Sequence, residues 1–88
     1  MTRSVTVLYF AAASTATGRS SQTIDIPSDG ITLASLSDLL VSQYADTGLD
    51  KILISSQWSV DAEMVDDPAT VILKGGEEVA VICPVSGG

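Results

Sequence analysis

Leu33, Leu36, Leu40 and Tyr44 recur at helical spacing with Leu39 beside them, while Ser35, Ser37, Asp38, Ser42 and Gln43 take the other side. A chain with one such amphipathic segment has one long apolar stripe to bury. The period-two segments on either side of it provide a sheet to bury that stripe on. Thr32 is placed to act as N-cap and Thr47-Gly48 to close the helix, which predicts a helix to about Ala45.

Upstream, residues 3–10 read as a strand in which Val5, Val7 and Tyr9 alternate with Ser4 and Thr6. Residues 11–18 are small and end in Gly18, which predicts a short helix or turn. Gln22, Ile24 and Ile26 share one face of a second strand that Pro27 ends. So short a connection favours antiparallel pairing of these two strands. Downstream, Lys51–Ser56 reads as a third strand buried on both faces, and Gln57–Val60 as a hairpin arm. Asp61–Pro68 is acidic and turn-like, and Lys74-Gly75-Gly76-Glu77-Glu78 turns the chain into a last strand, Val79–Ile82. The expected class is α+β: one mixed sheet packed on one main helix, in two layers.

The charge balance narrows the function. Four basic against eleven acidic residues give a net charge of −7. That disfavours nucleic acid and anionic membranes, whose binding rests on Lys and Arg, and favours a basic protein partner. The chain has no histidine and one cysteine, Cys83. A zinc constellation, a histidine-based catalytic triad and an intramolecular disulfide are thereby excluded. The carboxylates of Asp61, Glu63, Asp66 and Asp67 lack EF-hand spacing, so a solvated loop is expected rather than a cation site. No apolar run approaches the ~20 residues of a membrane span, and no basic region precedes a signal-like run. The expectation is a cytosolic protein of one domain, residues 1–82, with a tail at 83–88.

That tail is Cys83-Pro84-Val85-Ser86-Gly87-Gly88. Pro84 cannot continue a strand ladder, having no N–H and a fixed φ. Beyond it little remains but backbone, ending in the α-carboxylate of Gly88. A frayed terminus would look much the same. The alternative is an arm thin enough for a narrow tunnel, because glycine lets the backbone approach a wall closely. Trp58 is open to two roles, core residue or interface anchor.

The residues that carry a resemblance are Leu8-Tyr9-Phe10-Ala11, Gly76-Glu77-Glu78-Val79-Ala80-Val81-Ile82 and Pro84-Val85-Ser86-Gly87-Gly88. Together they resemble the small, sulfur-carrier subunit of molybdopterin synthase, a family of the ubiquitin-like β-grasp fold. Cys83 stands where that family commonly has proline, and Glu77 where it has aspartate. The resemblance implies that Gly88 is the reacting residue and that Pro84, Val85, Ser86 and Gly87 present it. It implies no resident cofactor, only ATP consumed when a ubiquitin-activating-type enzyme with sulfurtransferase activity adenylates Gly88. The resulting thiocarboxylate would deliver sulfur to a cyclic pterin precursor inside a larger catalytic subunit, in a heterotetramer of two small and two large chains. Four readings stay open: this carrier, a carrier for thiamine or transfer-RNA thiolation, a ubiquitin-like modifier of lysines, and an interaction module with an inert end.

Overall fold

The computed structural model describes residues 3–83. Strand β1 (Arg3–Tyr9) and strand β2 (Ser21–Ile26) pair antiparallel, with Val5 opposite Ile24 and Val7 opposite Gln22. Their alternation sends Val5, Val7, Tyr9, Ile24 and Ile26 into the core. Helix α1 (Ala11–Thr17) joins them, and Gly18 ends it at φ +71° with its amide on the Ser14 carbonyl.

Strand β3 (Ile31–Thr32) leads straight into helix α2 (Leu33–Gln43). The Thr32 hydroxyl oxygen accepts from the Ser35 amide at 3.1 Å, so the predicted N-cap is real. Leu33, Leu36 and Leu40 are fully buried, each stabilising the fold by ~1.5–3 kcal/mol through burial. The helix closes at Tyr44, slightly before the expected end at Ala45, and the chain turns through Tyr44–Gly48. The Tyr44 ring meets Tyr9 edge-on, centroids 6.3 Å apart.

The segment read as a third strand is instead helix α3 (Leu49–Ser55). Its apolar residues are not buried on both faces. Leu49 and Leu53 are buried four residues apart, while Ile54 is 84% exposed. That is one helical stripe, and a three-residue apolar run cannot by itself distinguish it from a strand. Gly48, at φ +84°, re-aims the chain into α3, and Asp50 lies in the first turn, where the helix dipole favours it.

Strand β4 (Gln57–Val60) and strand β5 (Glu63–Val65) form the hairpin, so part of the segment expected to be a turn is a strand. The hairpin turns at Asp61 and Ala62, both at positive φ. A 3₁₀ turn (Pro68–Thr70) follows, then strand β6 (Ile72–Leu73), which pairs with β3 in a separate two-stranded ribbon. Strand β7 (Glu78–Ile82) runs parallel to β1 and antiparallel to β4. The sheet order is β2-β1-β7-β4-β5. The first and last strands are therefore neighbours at its centre, and α2 crosses one face.

Candidate functional site at the root of the tail

Because β7 is central and buried through Val79 and Val81, the core holds the chain to within a residue or two of the tail. Cys83 is half-buried against that core. Its thiol donates to the Phe10 carbonyl at 3.3 Å. The Ser56 hydroxyl lies 2.6 Å from the Ile52 carbonyl and 3.7 Å from the Cys83 sulfur. With one proton for two acceptors, that hydroxyl bonds chiefly to the carbonyl. The root of the tail thus rests between the β1–α1 and α3–β4 junctions. Pro84, Val85, Ser86, Gly87 and Gly88, the site residues inferred from the sequence, lie outside the described residues.

The sheet has a second face, away from the helices. In-register pairing lines up Leu8, Ala80, Ser59 and Met64 across β1, β7, β4 and β5. Met64 is well exposed, and Ile82 and Phe10 add apolar surface toward the tail. This strip adjoins the point where the tail begins. It was not singled out residue by residue from the sequence. The available signal was parity: Leu8 in β1, and Ala80 and Ile82 in β7, are apolar at outward-facing positions. Trp58, by contrast, is 5% exposed and packs in the core beneath α3.

Beside β5, Asp61, Glu63, Asp66, Asp67 and Glu77 surround a hollow of about 540 Å³ floored by Val65. Several of these carboxylates hold the backbone. Asp61 accepts from the Glu78 amide at 2.9 Å and Asp67 from the Ala69 amide at 3.0 Å. Glu77 accepts from the amides of Lys74 and Gly75 at 2.8 and 2.7 Å. Partial burial opposes ionisation of Glu77, but those amides outweigh it and hold its carboxyl below the usual range. Among the described residues no group of His, Cys, Asp and Glu is arranged to hold a metal ion.

A polar contact also ties sheet to helix. Gln22 Oε1 accepts from the Tyr9 hydroxyl at 3.0 Å and from the Tyr44 hydroxyl at 2.6 Å. Burial, reinforced by the neighbouring Tyr44, pushes the Tyr9 phenol well above its ordinary pKa. It stays a neutral donor across the physiological range.

A mixed sheet with its first and last strands parallel at the centre, clasping one main helix, is the ubiquitin-like β-grasp. Several solved structures share it. The small archaeal modifier protein 1 from Methanosarcina acetivorans superposes with TM-score 0.78 at 17% identity, covering 100% of this chain and 99% of that one. A protein–protein complex of subunits 1 and 2 of molybdopterin-converting factor from Helicobacter pylori contains a chain matching with TM-score 0.67 at 20% identity, covering 97% and 99%. At such identities the likeness concerns the fold. Sequence goes further. The chain matches the ThiS family over residues 7–88, a span that includes the tail, and it belongs to that family. It is 46% identical to a Mycosarcoma maydis protein named molybdopterin synthase sulfur carrier subunit, over 99% of this chain and 96% of that protein. Among the described residues no helix is long and apolar enough to cross a membrane.

Proposed function

We infer that this chain is the sulfur carrier of a molybdopterin synthase and that Gly88 carries the sulfur. What supports the reading most is the 46% identity, nearly end to end, with a protein of that name. The fold cannot separate carriers from modifiers, because both superpose on it.

A carboxylate is a poor electrophile, being anionic and resonance-stabilised. An activating enzyme would join the Gly88 carboxylate to ATP, releasing pyrophosphate and leaving a glycyl-adenylate. A persulfide sulfur on a sulfurtransferase domain would then attack the carbonyl carbon and expel AMP. Cleavage of the remaining sulfur–sulfur bond by a thiol reductant leaves –C(O)S⁻ on Gly88. ATP is consumed, and no cofactor is resident. The thiocarboxylate is a nucleophile on a thin arm, and Pro84, Val85, Ser86 and Gly87 carry it into the larger subunit. Held there, it reacts with the cyclic pterin precursor at high effective concentration. Two carriers, one on each large subunit of a heterotetramer, supply the two sulfurs of the dithiolene.

The strip formed by Leu8, Ala80, Ile82 and Met64, beside the tail root, is the natural seat for the large subunit. A standard interface buries on the order of 800 Å² per partner. The cytosol, where ATP and thiols are abundant, is the compartment that suits this chemistry.

Intact-mass measurement after incubation with ATP, the activating enzyme and a sulfur donor tests the proposal. The expected gain is one sulfur for one oxygen, confined to the C-terminal peptide. A gain on Cys83 instead refutes it. Reconstitution with pterin, thiazole and transfer-RNA acceptors separates this reading from the other carriers. A ladder of lysine conjugates in lysate would point to a modifier.

A further inference from the structure

The helical side of the domain carries a second surface, apart from the strip assigned above to the large subunit. Between α2 and α3 lies a hollow of about 450 Å³, with Trp58 and Leu53 at its base and Val41 and Ile54 along its walls. Asp38 on α2 and Asp50 on α3 also line it. A second hollow continues round Ile54 past Asp66. No Lys or Arg lines either one, and Lys51, the basic residue of α3, is absent from both. The result is a mainly apolar trough between α2 and α3 that runs into a more polar extension at Ser56, Gln57 and Asp66, with three carboxylates and no cation along the described lining.

Ile54 is the most exposed large apolar side chain among the described residues. An isolated exposed apolar residue needs no explanation. Ile54 is not isolated, since it forms a wall of both hollows. Its exposure also argues against a small-molecule pocket, which buries most of its ligand. A shallow trough between two helices suits a polypeptide that brings its own apolar face.

We propose that this trough is a docking site for a cationic amphipathic helix of a partner protein. Apolar side chains of that helix would seat over Trp58 and Ile54, and Lys or Arg would face Asp38, Asp50 and Asp66. Charge complementarity selects the occupant. An anionic or neutral segment would leave the three carboxylates without counter-charge, and a second copy of this acidic chain would add to the repulsion. The hollow between α2 and α3 lies on the opposite side of the sheet from the Leu8–Met64 row, although its extension reaches Ser56 beside the tail root. Trp58 faces the helices while its neighbour Ser59 lies in the row on the opposite sheet face, so both surfaces can be occupied at once.

The test is an NMR titration of the ¹⁵N-labelled full chain with a synthetic peptide carrying Leu and Arg at helical spacing. Two control peptides replace Arg by Glu, or Leu by Ser. Saturable shifts are expected at Ser37, Asp38, Val41 and Ile54 and at the Trp58 indole, with neither control binding. Ile54→Lys should raise Kd about tenfold or more, the effect of removing one apolar contact and adding a like charge. Asp38→Asn with Asp50→Asn should weaken binding and flatten its salt dependence. If Ile54→Lys unfolds the chain, the Asn pair decides alone. Shifts centred on Leu8, Ala80 and Ile82 or on Asp61, Glu63 and Glu77, equal binding of the Glu peptide, or an Ile54-dependent dimer in sedimentation would each overturn the proposal.

Discussion

Replacing Gln22 by leucine should cost more than its place near the sheet edge suggests. Gln22 Oε1 is the shared acceptor of the Tyr9 and Tyr44 hydroxyls. Tyr9 is 1% exposed, so its hydroxyl has little access to replacement water. Tyr44 is only partly buried and can turn to solvent. An unsatisfied buried donor costs ~1–3 kcal/mol, whereas a lost bond at a solvated group costs ~0.5–1.5 kcal/mol. The Tyr44 hydroxyl also gives Tyr9 a fallback acceptor, which brings the sum to ~2 kcal/mol. For a domain of this size that lowers Tm by roughly 8–16 °C. Thermal and urea unfolding should agree on the loss, with an unchanged m-value. The informative control is Gln22→Leu combined with Tyr9→Phe. Removing both partners of the Tyr9–Gln22 bond leaves no fully buried donor unsatisfied, only the Tyr44 hydroxyl, which can reach solvent, so the double variant should recover part of the loss. A double variant less stable than Gln22→Leu alone, or a single variant within ~0.5 kcal/mol of the parent, would refute the reasoning.

Three further outcomes are expected. Ala62→Gly should raise stability by ~0.5–1 kcal/mol in denaturant melts, because Ala62 sits at φ +70° in the β4–β5 turn, where a Cβ is disfavoured; no gain would mean the turn is unstrained. Glu77 has a depressed pKa, so its contribution is present above the ordinary carboxylate range and lost as pH falls through the folded value. Stability of the parent should therefore decline more steeply with acid below about pH 4.5 than that of Glu77→Gln, and parallel pH–stability curves would remove Glu77 from the account. Gly87→Val, past the end of β7 in the chain, should change stability by less than ~0.5 kcal/mol yet reduce adenylation or sulfur transfer about 100-fold; product at the parental rate would show that the arm enters no narrow site.

Much of the architecture was legible because its signals are local. The alternation of Val5, Val7 and Tyr9, the stripe of Leu33, Leu36 and Leu40, the Thr32 cap and the Gly18 stop depend on near neighbours in the chain, and all appear as read. The final strand and the terminal Pro-Val-Ser-Gly-Gly carried the resemblance to the family, again a property of contiguous residues. Ile52-Leu53-Ile54 failed for the complementary reason. Three apolar residues in a row fit a buried strand as well as a helix, and only packing put Leu53 inward and Ile54 outward.

What sequence determined without help is the kind of chain this is: one amphipathic helix among period-two strands, acidic, without histidine, ending in a bare double glycine. What tertiary structure alone decided is which distant residues share a surface. Parallel pairing of β1 with β7 brings Leu8 beside Ala80, and the turn at Gly48 lays Asp50 and Ile54 across from Asp38. Such juxtapositions arise from pairing register and helix crossing, which are set by burial summed over the whole core. No short stretch of residues encodes them.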